Sequence, residues 1–303
     1  MTGGHANAGY RRLFDSDALT FGTGFPLSER GRGTPPIDRE LEMAEHAEAV
    51  GFDALWARDV PTDWPDFRDT GQDYDVWPWL SAVAARTDEV ALGTASVVLP
   101  LRHPLHVAKA AASVDRLSEG RLVLGIASGD RPPEYAAFGV DEDDRGALFR
   151  ESVDLLRTVW REEFPEHDSR WGRLDGSVGV VPDPTTETLP LLVTGHARQS
   201  LPWIGEHGDG WLFYHLPRRT LEDYLDDWRE AGGGKPFAMS MGVELADTDP
   251  EHIEQGFRAR SDWFVEYFRE IGEWGVDHVL VSVRGEDREA ALARFASEVI
   301  EHV

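Results

Sequence analysis

Apolar and polar positions along this chain repeat one pattern eight times. Short apolar runs rich in β-branched residues predict strands near residues 18–25, 52–58, 90–98, 121–127, 189–193, 210–214, 237–244 and 277–283. Between them apolar residues recur at helical spacing, as in Leu41, Ala44 and Ala47, in Leu221, Tyr224, Leu225 and Trp228, and in Leu292, Phe295, Ala296 and Val299. The stretch Val90–Asp130 shows the repeating unit most fully. Val90–Val98 suits a strand buried on both faces, Pro104 opens a helix and Gly120 stops it, and Arg121–Ala127 forms the next strand before Ser-Gly-Asp. Two parallel strands joined by a crossover helix make a βαβ unit. Eight such strands alternating with about eight helices predict an α/β fold, a (β/α)8 TIM barrel rather than an open doubly wound sheet.

Three segments interrupt the pattern. Residues 1–12 are glycine-rich and read as a flexible tail, leaving 13–303 as one barrel domain. Arg58–Asp75 is a long Pro- and Asp-rich connection after the second strand, placed to form a lid or a substrate wall. Glu162–Pro190 contains WGRLDGSVGVVPDP, which predicts a small hairpin inserted before the fifth strand and turning at Asp175–Gly176. Gly232–Gly234 before Lys235 is a loop and no phosphate-binding motif, because Pro236 stands where Ser or Thr is required. No dinucleotide fingerprint follows the first strand, since Gly22-Thr-Gly24 runs into Phe25-Pro26.

Composition narrows the partners. Thirty basic residues face 56 acidic ones across 303 positions, a formal net charge of −26, and Lys109 and Lys235 are the only lysines. So acidic a chain has no basic stripe for nucleic acid. Acidic residues spread throughout, with lysine nearly missing, predict a protein adapted to a salt-rich cytoplasm that screens self-repulsion. The lack of cysteine removes disulfides, thiolate nucleophiles and Cys-ligated metal together. No apolar run reaches the ~20 residues of a membrane span, and the N-terminus carries no signal-peptide core. A cytoplasmic protein working on a small molecule is the expectation.

In a barrel of this kind function gathers at the C-terminal ends of the strands. That rule selects Phe25, Arg58, Asp59, Ala95, Ser96, Ser128, Gly129, Asp130, Gly195, His196, Tyr214 and His215, with Arg58, Asp59 and His215 as candidates for catalysis. His103 and His106 lack a third ligand at suitable spacing and no HExxH occurs, so no metal site is expected; His103 instead positions the loop before Pro104. Ser128-Gly129-Asp130 and Gly195-His196-Ala197-Arg198 are small-residue loops whose backbone N–H groups suit an oxyanion. Arg145, near the start of the next helix, offers a bidentate guanidinium to the same anion, or else an ion pair to its own acidic loop, Asp141–Asp144.

LGTASVVLPLRHP (92–104) with DRLSEGRLVLGIASGD (115–130), preceded by GFDALWARD (51–59) and followed by Arg145 and LPLLVTGHARQS (189–200), resembles the bacterial-luciferase-like flavin monooxygenases and their deazaflavin-dependent relatives. The resemblance runs over roughly residues 18–300. It implies that the two loops (Ser128, Gly129, Asp130; Gly195, His196, Ala197, Arg198) and Arg145 bind the phosphate of FMN or of coenzyme F420. It also implies a non-proline cis peptide at Ala95–Ser96 backing the cofactor ring, and a homodimer formed through helices beside the second and third strands. The expected activity is FMN-dependent monooxygenation of a small organic substrate with O2, with reduced flavin supplied by a separate reductase. The alternative is F420-dependent hydride transfer, disfavoured at this level because an acidic surface suits the anionic F420 tail poorly. A non-catalytic flavin-binding protein and an unrelated barrel hydrolase are the readings of other classes. The catalytic His of the flavin enzymes is unmatched at Arg58–Asp59, and Ala127 stands at a reactive-thiol position, which argues against light emission.

Overall fold

The computed structural model describes residues 6–28, 34–64, 66 and 74–303. Eight strands build its centre: β1 (Thr20–Gly24), β2 (Ala54–Ala57), β3 (Ala91–Thr94), β4 (Leu122–Ala127), β5 (Leu191–Thr194), β6 (Gly210–Phe213), β7 (Phe237–Leu245) and β8 (His278–Arg284). Each is parallel to the next, and β8 pairs with β1 in the register Thr20↔His278, so the sheet closes into a ring. All eight coincide with expected strands, and the (β/α)8 barrel is the fold. A two-residue strand, Val97–Val98, continues β3 and pairs with the end of β4.

Outward-facing residues of the strands meet the helices in one large core. Phe21 packs edge-on against Phe268 and Phe295 from the helices Ser261–Trp274 and Arg288–Glu298. The buried Arg121 guanidinium donates to the carbonyls of Ala84, Thr87, Val90 and Ser118 and to Thr87 Oγ1, meeting the bare C-terminal end of the helix Val76–Ala84. His103 caps the helix Pro104–Leu117 by accepting from the Leu105 N–H, the loop-positioning role expected of it.

The barrel interior is lined by small residues because one large side chain fills it. Trp56 is 1% exposed, and a Cβ on Gly22 or Gly93 would lie 2.5 Å or 2.2 Å from its indole. Below it, at the N-terminal mouth, lies a correction to the tail expectation. Residues 1–5 fall outside the described residues, but Ala8–Phe14 is a helix that buries Gly9, Tyr10 and Leu13. Asn7 caps it and also donates to Asp115 and to the Leu122 carbonyl, and Tyr10 donates to the Asp209 carbonyl.

Two further details differ from expectation. The hairpin pairs Glu166–Ser169 with Gly172–Asp175 and turns at Arg170–Trp171, not at Asp175–Gly176. Gly172 takes φ +130° beside the two-residue turn, while Asp175 closes the far end by accepting from the Ser177 N–H. Beyond β7 the strands Glu251–Ile253 and Gly256–Ala259 were not anticipated; the second adds in parallel to the end of β7. Of the expected lid, residues 65 and 67–73 lie outside the described residues.

Candidate functional site

At the C-terminal mouth the strand ends surround a cavity of about 620 Å³. Residues expected at strand ends converge on it: Phe25, Arg58, Asp59, Ala95, Ser96, Ser128, Gly129, Asp130, Gly195, His196 and Tyr214 all line its wall, as does Ala197 of the expected phosphate loop. Arg145, Arg198 and His215 do not.

One wall is backbone. The Ala95–Ser96 peptide is cis, as the resemblance implied, and Ser96 Oγ and Thr194 Oγ1 share a hydrogen bond between β3 and β5. Gly125 has no room for a side chain, since a Cβ there would come 1.8 Å from the Thr94 carbonyl oxygen. Gly129 (φ +88°), Gly195 (φ +57°), Ala197 (φ +45°) and Arg198 (φ +62°) are left-handed, which turns their loops sharply at the ends of β4 and β5. Gln199 holds the second loop by donating to the carbonyls of Gly146 and Ala197, and the Trp211 indole donates to the Gly195 carbonyl at 2.7 Å. These loops fit a phosphate against small residues and backbone N–H groups.

The charged side chains divide by what already holds them. Asp59 is buried, and its carboxylate takes a bidentate pair from Arg102 (2.8 and 2.7 Å) and the Val98 N–H. It fastens the β2 end to the loop after β3. Glu134 accepts from Thr62 at 2.9 Å and lies 3.7 Å from Arg131; burial pushes its pKa up against those two contacts. Asp130, by contrast, is exposed at the mouth. Arg145 is buried, paired with Glu142 and set 5.5 Å over the Tyr135 ring, with its Nε left without a partner. Its present geometry is therefore the ion pair with its own acidic loop; reaching a phosphate requires it to leave Glu142. His215 packs 5.3 Å from Phe257 on the extra strand, and burial, then nearby His252, lowers its pKa.

The floor is Trp56. Its indole N–H donates to His278 Nε2 at 3.0 Å, and His278 Nδ1 lies 2.8 Å from Thr20 Oγ1. Because Nε2 accepts, Nδ1 carries the proton and donates to Thr20, whose hydroxyl lies 3.0 Å from the Leu13 carbonyl. His278 is fully buried, which pushes its pKa down to about 3 and keeps it neutral.

Sequence reasoning missed the opposite wall: Ser240, Gly242, Glu254, Gln255, Ser282 and Arg284. Ser240, Ser282 and Arg284 follow from alternation along β7 and β8, inward with Ala238 and His278. Glu254 and Gln255 form the turn between the unanticipated extra strands and left no readable signal.

The chain matches the model of the luciferase-like monooxygenases over residues 19–296. It is 34% identical over 229 residues to the F420-dependent glucose-6-phosphate dehydrogenase of Beutenbergia cavernae, covering 72% of this chain and 66% of that protein. It is 32% identical over 220 residues to the F420-dependent hydroxymycolic acid dehydrogenase of Mycobacterium tuberculosis, covering 69% and 58%. The matched stretches thus span less than two thirds of these curated relatives. In three dimensions it resembles the monooxygenase RslO1 from Streptomyces bottropensis, with a TM-score of 0.80, 22% identity, and coverage of 94% of this chain and 99% of that one. With the closed barrel, the cavity at its mouth and a family match across nearly its whole length, this chain belongs to the luciferase-like monooxygenase family of oxidoreductases.

Proposed function

We propose that this protein is an F420-dependent oxidoreductase that moves a hydride between the deazaflavin and a small organic substrate held at the barrel mouth. The observation that carries the reading is the pair of F420-dependent dehydrogenases at 32–34% identity. It shifts the preference from FMN, the leading expectation from sequence, to the alternative. Arg198 and Arg219, exposed just beyond the ends of β5 and β6, supply the positive charge that an anionic cofactor tail needs.

The chemistry supplied by the bound cofactor is hydride acceptance or donation; the chain binds, orients and handles the proton. The loops at Ser128–Gly129 and Gly195–Ala197 would hold the cofactor phosphate, and Ala95–Ser96 would back its ring. Of the cavity's carboxylates, Asp59 is committed to Arg102 and Glu134 to Thr62 and Arg131, which leaves Asp130 beside the β4 and β5 loops and Glu254 on the opposite wall. Asp130, on the cofactor side of the cavity, takes the substrate hydroxyl proton in the oxidising direction; sequence reasoning had set Asp130 with the cofactor phosphate and named Arg58, Asp59 and His215 as catalytic candidates without a stated acid or base.

Titration of the purified protein in concentrated KCl with F420 and with FMN tests the reading. Tighter F420 binding, with bleaching of its absorbance by an oxidisable alcohol, is the expected result. Tight FMN binding with oxygen uptake on addition of reduced flavin overturns it in favour of monooxygenation. Asp130→Asn should lower kcat about 10²–10⁴-fold while the F420 Kd stays within about twofold. Equal losses in binding would remove Asp130 from proton transfer.

A further inference from the structure

We infer that Arg284 anchors an anionic group, a carboxylate or a phosphate, on the substrate. The inference rests on the reading of this cavity as the active site. Arg284 ends β8, and its register partner on β7 is Glu244. In so acidic a chain that neighbour would ordinarily neutralise it, yet the Glu244 carboxylate goes to Arg258 of the extra strand, 3.3 Å away. Arg218, Arg260 and Arg294 are likewise each paired with a carboxylate.

Among the described residues no carboxylate lies within 4 Å of the Arg284 guanidinium, Glu254 included. Its one hydrogen bond runs from Nη2 to the Glu254 carbonyl at 3.0 Å, and its Nε is buried without an acceptor. Gly242 of β7 faces it, a Cβ there standing in ordinary contact with Nη2 at 3.6 Å. The guanidinium thus forms part of the cavity wall with most of its N–H donors unspent, flanked by Ser240, Ser282 and Gln255. A planar fork of donors in that state matches the oxygen pair of a carboxylate or phosphate. The site lies on the β7–β8 side, across the barrel from the glycine loops of β4 and β5, so a cofactor phosphate and a substrate anion would not compete.

Arginine-specific labelling of the ligand-free protein with phenylglyoxal, read peptide by peptide by mass spectrometry, tests this without the cofactor. Inorganic phosphate and succinate are the probes, used separately. At about ten times its Kd, either anion should slow Arg284 labelling about tenfold and leave Arg258 unchanged. Arg284→Gln should remove that labelled peptide while the melting temperature holds. Labelling unaffected by both anions overturns the inference; so does an Arg284 that resists the reagent altogether, because a guanidinium closed to the reagent is closed to a substrate. Failure of F420 to bind alongside protection of Arg284 would sink the cofactor reading and leave the anion site standing. F420 binding without protection would do the reverse.

Discussion

Single residues in this barrel divide into those that hold its parts together and those left open to a ligand, and the partners decide which. Asp59 was a reasonable catalytic candidate from position alone, at the end of a strand and beside Arg58. Its bidentate pair with Arg102 makes it a fastener; Arg102 also binds Asp75 and keeps that partner if Asp59 is removed, whereas removing Arg102 strands the buried Asp59 carboxylate. Arg102→Ala should therefore cost about 3–5 kcal/mol in denaturant unfolding, and Asp59→Ala less. The double variant Asp59→Ala/Arg102→Ala should cost less than the sum of the singles. Additive losses would mean that the pair is not coupled. His278 makes a second residue-scale prediction. Its folded pKa of about 3 lies below the ordinary value of 6.5. The neutral imidazole's contribution is thus whole above pH 6.5 and is lost progressively as pH falls toward 3. A depression of that size corresponds to about 5 kcal/mol. His278→Gln, which does not titrate, should show a shallower loss of stability between pH 6.5 and 4 than the parent protein. Parallel pH profiles would mean that His278 is not held neutral.

At the scale of elements, what could be read from sequence was whatever announces itself by period. The eight barrel strands are continuous apolar runs because both of their faces are buried, and every one lies where the pattern put it. The strand-end rule then brought most of the cavity wall together. Elements stabilised by tertiary contacts alone were silent. NAGYRRLF has too few turns to show a helical stripe, yet Ala8–Phe14 is a helix because Tyr10 and Leu13 enter the barrel's open N-terminal end. EHI and GFRA are short and half polar, so they signal no strand until β7 offers an edge. Arg145 and His215 stand near the right strand ends, but sequence gave no means of seeing Glu142 or Phe257 beside them. If the N-terminal helix is a stopper for the barrel, truncating its buried leucine should be felt as a core mutation. Leu13→Ala should cost about 2–4 kcal/mol, and Arg12→Ala, whose side chain makes partly exposed ion pairs, less than about 1 kcal/mol. Similar small effects from both would mean that the helix merely rests on the barrel.

For the molecule as a whole the deciding quantity is net charge. Fifty-six acidic residues against 30 basic ones leave −26, and many of the exposed arginines are already spent on local pairs: Arg39 with Glu42 and Glu289, Arg170 with Asp144 and Glu151, Arg260 with Asp249 and Asp262. Salt acts in two opposing ways. It weakens those pairs, each worth about 0–1 kcal/mol when exposed, and it weakens repulsion among the unpaired carboxylates. The pairs are short-ranged, whereas the repulsion runs between the excess carboxylates over long distances and falls steeply as the screening length shrinks from about 10 Å at 0.1 M to about 3 Å at 1 M. Repulsion outweighs the pairs, so the melting temperature should rise with KCl, most steeply below about 1 M, and flatten once neighbouring carboxylates are screened from one another. Choline chloride at the same ionic strength should act alike if screening is the cause. A rise specific to potassium would point instead to ion binding at the surface. A melting temperature that falls with salt would mean that the arginine pairs, not the excess of carboxylates, set the balance of this surface.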